Sequence, residues 1–136
     1  MSLLVEKTSS YEQACKKLLI IEGVRFAGII NNRGRLVIGG FKAGVEPYEN
    51  EQQRNMLFME IALDLSMRQE FDESLGTILA ITSKREKVNM TTIPLQGKLL
   101  LISSEPYVDI DEIETTAREI IYSQMMQNTP LELKYT

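Results

Sequence analysis

The densest group of side chains with chemical potential is Asp109-Ile110-Asp111-Glu112-Ile113-Glu114, four carboxylates within six residues. Carboxylates this close could hold calcium or magnesium, but the glycine and the oxygen spacing of a calcium loop are missing. The isoleucines between them put the acids on the solvent side of a helix start, where negative charge suits the helix dipole. The chain contains no histidine, which removes the commonest general base and metal ligand. Its candidate nucleophiles are the Ser103-Ser104 pair and Cys15, and neither has an activating base placed by the pattern. Cys15 falls in an apolar stripe and reads as a small buried hydrophobe rather than a reactive thiol. Gly39-Gly40 resembles half of a phosphate-cradling loop, but no Lys-Ser/Thr follows it. Asn89-Met90-Thr91 matches a glycosylation sequon by chance, since no secretory signal accompanies it. The residues point to no catalytic centre, no metal and no cofactor.

The basic residues are more suggestive. Arg25, Arg33, Arg35 and Lys42 gather in one hairpin and its exit, and Lys84, Arg85 and Lys87 form a second basic turn. Two readings stand side by side. Such turns can be solvated charge that discourages edge-to-edge aggregation, or a patch for an anion or an acidic partner. As a partner-binding set the candidates are Arg33, Arg35, Lys84, Arg85 and Lys87. Nucleic acid is excluded by the net charge of -4 and by the lack of interleaved aromatics on which bases would stack.

These residues must be positioned by a small core. At 136 residues and 43% hydrophobic the chain reads as one domain spanning 1–136, its core about residues 9–123. A single cysteine suits a reducing compartment. The N-terminus lacks a basic region followed by a long apolar run, and the apolar runs are too short to span a bilayer. The expectation is a cytoplasmic protein with no membrane insertion.

Ser9 or Ser10, with Glu12 and Gln13 three residues on, reads as the cap of a first helix. Its stripe is Tyr11, Ala14, Cys15, Leu18 and Leu19, and Gly23 stops it. Val24 to Ile30 and Leu36 to Phe41 form a hairpin around Asn31-Asn32-Arg33-Gly34-Arg35, whose Asn and Gly suit a tight turn. A second helix runs from about Asn50 to Glu70, followed by a connector from Phe71 to Gly76. Thr77 to Ser83 is an edge strand, Lys84 to Lys87 a charged turn, and Val88 to Ile93 the partner strand, which ends or becomes an edge at Pro94. Lys98 to Ser103 is apolar on both faces and so central. Asp109 caps a last helix with inward stripe Ile110, Ile113, Ala117, Ile120, Ile121 and Gln124, stopped by Asn128-Thr129-Pro130. The order α-β-β-α-β-β-β-α predicts an α/β three-layer sandwich: a five-stranded, mainly antiparallel sheet with helices on both faces.

The second helix carries one face too many. Stepping about 100° per residue, Leu57, Phe58, Ile61, Ala62 and Leu65 gather on one side. Met56, Met59, Leu63 and Met67 gather roughly opposite, flanked by Glu60, Asp64 and Arg68. A helix on one sheet needs a single apolar face, so the second reads as a subunit interface.

The hairpin GVRFAGIINNRGRLVIGG, together with this order of elements, resembles the roadblock/dynein light chain family, a profilin-like α/β sandwich. The resemblance covers about Ser9 to Ser123 and is closest to uncharacterised archaeal members. It implies a non-enzymatic homodimer in which middle helices pack together and the edge strands after them pair into one long sheet. It also implies a scaffold or regulatory role toward another protein, with a Ras-like small GTPase as leading partner. The chain departs from better-known members in its Met-rich face and in Pro94. A small-ligand sensor is the alternative, because sandwiches of this shape also build pockets between sheet and helix.

Overall fold

The computed structural model describes residues 3–127. Its helices are α1 (Leu3–Ile20), α2 (Glu51–Arg68), α3 (Asp72–Leu75) and α4 (Ile110–Gln127). Its strands are β1 (Val24–Asn31), β2 (Leu36–Phe41), β3 (Ile81–Lys84), β4 (Asn89–Leu95) and β5 (Lys98–Ser104). With α3 a single turn trailing α2, this is the expected α-β-β-α-β-β-β-α order. The five strands form one antiparallel sheet in the order β2-β1-β5-β4-β3. The Asn128-Thr129-Pro130 stop lies outside the described residues.

Period-two alternation sorts β1 and β5 between two cores. Ala27, Ile29, Leu100 and Ile102 join Cys15 and Leu18 of α1 and Ile113 and Ala117 of α4. Phe26, Ile30, Leu99 and Leu101 face the opposite way, under Phe58, Ala62 and Leu65 of α2. Leu99 through Ile102 are all buried, as expected of a central strand covered on both sides. Each large side chain so covered contributes about 1.5–3 kcal/mol.

Local signals place the elements. Asn31 Oδ1 accepts from the N–H groups of Arg33 and Arg35, each at 3.0 Å, and Gly34 takes φ +79°, so the β1–β2 turn closes as its composition predicts. Asn50 caps α2 in a capping box: the Gln53 N–H donates to Asn50 Oδ1 at 2.8 Å, and the Asn50 N–H donates to Gln53 Oε1 at 3.0 Å. Such a cap is worth about 1 kcal/mol. Asp109 caps α4 through the N–H groups of Asp111 and Glu112.

Three expectations are corrected. Helix α1 does not begin at Ser9 or Ser10; Ser10 is buried within it, and its hydroxyl donates to the carbonyl of Gln124 on α4 at 3.3 Å. The connector after α2 is a 3-10 turn, Gln69–Phe71, followed by α3, and Gly76 closes it at φ +86°. Strand β3 starts at Ile81, not Thr77. Its ladder pairs Ile81 with Thr92 and stops there, two residues short of Pro94, which has no N–H to carry it further. At Pro94 strand β4 becomes an edge, the second of the two expected outcomes: it continues opposite Leu99 to Leu95 on its β5 side, while the β3 ladder has already stopped on the other side.

Candidate protein-interaction site

Helix α2 meets the sheet through buried Phe58, Ala62 and Leu65, with Leu57 and Ile61 half-buried beside them, and leaves its opposite apolar face uncovered. Met56, Met59, Leu63 and Met67 are 58%, 59%, 62% and 56% exposed. The turn after β1 fixes where the helix lies. A Cβ on Gly34 would stand 2.5 Å from Met59 Cα, so the hairpin tip rests against the α2 backbone. Arg33 and Arg35 therefore flank the methionine stripe.

The basic candidates do not form one patch. Asn31 is level with Lys98 and Leu95 at one end of the sheet. Val24 is level with Ser104, Asn89 and Lys84 at the other end. The seven steps between Val24 and Asn31 cover roughly 23 Å, well beyond a Debye length of about 8 Å in physiological salt. Arg33 and Arg35 are thus electrostatically separate from Lys84, Arg85 and Lys87.

Two basic residues are structural. Arg25 is buried: Nη1 donates to Glu105 Oε1 at 2.9 Å, Nη2 donates to the Glu46 carbonyl at 2.9 Å, and the guanidinium carbon stands 4.3 Å from the Tyr48 ring centroid. It ties β1 to the loop before α2 and to the segment after β5. Lys42 Nζ donates to the Ile21 carbonyl at 2.8 Å. Neither belongs to a free anion patch.

Lys84, Arg85 and Lys87 instead overhang a groove of about 820 Å³ between α2 and the sheet. Phe41, Leu57, Val88 and Met90 line it, half-buried. A smaller recess along the same helix flank adds Ile61 and Ile81. Lys87 Nζ lies 5.6 Å from the Tyr48 ring that Arg25 also holds, which links the groove's two rims. Tyr48, Phe41 and Met90 were not candidates from the sequence. Phe41 ends β2, Tyr48 lies in the loop that follows it and Met90 lies on β4, so only the chain's return across the sheet brings Met90 to the other two.

The candidates for chemistry are dispersed. Ser103 and Ser104 are buried on β5. Burial, and after it the charge of Glu12, pushes the Cys15 thiol up to about 11. Asp111 and Glu112 stand exposed at the start of α4. Among the described residues no three acidic or cysteine side chains are grouped to hold a metal, and no helix is long and apolar enough to cross a membrane.

Sheet order, helix placement and an uncovered middle helix define a roadblock-type sandwich, and solved structures share it. A roadblock/LC7 domain from Streptomyces avermitilis has TM-score 0.63 and 9% identity, over 82% of this chain and 92% of that one. The gliding protein MglB of Thermus thermophilus has TM-score 0.69 and 12% identity, over 87% of each chain. An MglB described as having a tetrameric arrangement has TM-score 0.68 and 14% identity, over 85% and 88%. At these identities the likeness is one of fold. No curated protein matches the chain in sequence. Residues 5–125 match DUF6659, described as a family of unknown function, and the chain belongs to that family.

Proposed function

We propose that this chain is a non-enzymatic, homodimeric scaffold or regulatory subunit that binds another protein in the cytoplasm, with a Ras-like small GTPase as leading partner class. The observation that carries the reading is the apolar stripe Met56, Met59, Leu63 and Met67, exposed on α2. A contiguous apolar patch of this kind marks an interaction surface. Strand β3 is an open sheet edge along the Leu57 and Ile61 flank of the same helix, which a second copy can extend by pairing. The tetrameric arrangement of one MglB supports self-association on this fold. The GTPase rests on the family resemblance alone, and fold does not dictate function. Chain chemistry supports a binding role: histidine is absent, both candidate serines are buried, and the thiol is held protonated.

Sedimentation tests the dimer. The wild-type chain should sediment as a dimer, and Met59→Glu with Leu63→Glu as a folded monomer, since both side chains are exposed in the single chain. A folded double variant that stays dimeric removes this interface. GTPase binding is tested by capture of the wild-type chain on immobilised Ras-like GTPases in their GDP and GTP forms. Loss of capture by the monomeric variant would place the partner across the dimer.

The groove favours one second reading, a small-ligand sensor. Its volume of about 820 Å³ falls within the roughly 300–1,000 Å³ of ligand pockets. A rise in thermal midpoint with a small metabolite, lost on Met90→Glu, would establish that reading instead.

A further inference from the structure

The geometry points to the groove beneath Lys84, Arg85 and Lys87 as the docking site for an acidic segment of a partner protein carrying large apolar anchor side chains. This rests on the protein-binding reading above and assigns the partner's place and chemistry. Leu57, Ile61, Ile81, Val88 and Met90 are only half-buried along the groove, and Ser83 and Ser103 line it too, so the reachable floor is largely apolar. Such a floor rewards an inserted hydrophobic side chain.

The charges of the rim select the rest of the segment. On the helix side Glu49 is engaged by Arg54 at 3.1 Å and Asp64 by Arg68 at 3.0 Å. Arg25 is likewise engaged by Glu105. Lys84, Arg85 and Lys87 enter none of the ion pairs among the described residues; Glu86 sits within their own turn, and Glu60 of α2 is the carboxylate of the helix side that no ion pair engages. A chain of net charge -4 thus presents a locally cationic rim over an apolar trough. Complementary charge steers a partner and excludes like-charged segments. Contact of Lys87 and Arg25 with the Tyr48 ring holds the rim in place before a partner arrives. At the Arg33–Arg35 turn, by contrast, Gly34 rests directly on the α2 backbone at Met59.

The test titrates isotope-labelled full-length protein with three designed peptides and follows backbone amides by NMR. The first alternates Asp and Glu around a central Phe and Leu. The second has both anchors changed to Ser, and the third has its acids changed to Lys. The first peptide should bind and shift Tyr48, Leu57, Val88 and Met90, and the other two should bind weakly or not at all. Lys84→Glu with Arg85→Glu and Lys87→Glu should weaken binding about tenfold or more; Arg33→Glu with Arg35→Glu should leave it unchanged. Equal binding of the basic peptide, no binding of the acidic one, or loss only in the Arg33 and Arg35 variant would overturn the proposal. So would amide protection of the groove that appears on self-association and blocks the peptide, since the occupant would then be a second copy. Sedimentation of the same samples reports the dimer separately, so an intact dimer that ignores the peptide sinks the groove and not the assembly.

Discussion

Arg25 and Glu105 are 80 residues apart in sequence and 2.9 Å apart in space. Their ion pair ties β1 to the segment after β5, while the other guanidinium nitrogen donates to the Glu46 carbonyl in the loop before α2. The Arg25 side chain is only 11% exposed, so removing its partner strands a charge that water reaches poorly. Glu105→Gln should cost about 1–3 kcal/mol of unfolding free energy, measured by urea denaturation. Arg25→Lys should restore little of an Arg25→Met loss, because one ammonium cannot span Glu105, the Glu46 carbonyl and the Tyr48 ring together.

Gly34 predicts a second stability effect with a structural readout. An alanine there must adopt φ +79° and place its Cβ against the Met59 backbone. Strain in that region costs about 1–3 kcal/mol, and the helix must shift besides. Gly34→Ala should lower the urea midpoint. It should also weaken the dimer by displacing Met59, which sedimentation will show. Gly97, whose φ is also positive but whose Cβ would meet open space, should tolerate alanine with the smaller cost of strain alone.

Cys15 predicts a pH dependence. Its folded pKa is raised from 9.0 to about 11, so the folded state keeps the proton that the unfolded state releases first. Stability is therefore full below pH 9 and declines as pH rises from 9 toward 11. Tyr11, raised in the same direction by burial, adds to the decline. The thermal midpoint of Cys15→Ala should fall less steeply over that range than that of the wild type. Native protein at pH 7 should react with a thiol reagent only at its rate of opening.

Residues 77–80 predict a change on assembly. Their sequence, Thr-Ile-Leu-Ala, suits a strand, yet they stand unpaired before β3, and Leu79 is 63% exposed. If a second copy pairs along this edge, their amides gain partners. Hydrogen exchange should then be slow at 77–80 at dimeric concentrations and fast in the Met59→Glu, Leu63→Glu monomer. Fast exchange in a proven dimer would exclude pairing at this edge.

What the sequence determined by itself was everything that neighbours along the chain decide. The Asn31–Arg35 turn, the Asn50 and Asp109 caps, the doubly apolar Leu99–Ile102 strand and the two faces of α2 are set by spacing, turn chemistry and side-chain polarity within a few residues. Those signals suffice for the order of elements and the three-layer class. Tertiary structure decided what depends on distant partners. Ser10 lies inside a helix and donates to the Gln124 carbonyl of α4, and the ladder of the strand before the charged turn stops short of Pro94 on its neighbour. Arg25 reads as a free cation until Glu105 and Glu46 close on it. The basic residues read as one set until strand register sends their two turns to opposite ends of the sheet. Charge type is written locally, but whether a charge is free, and which surface it shares, depends on contacts made across the whole fold.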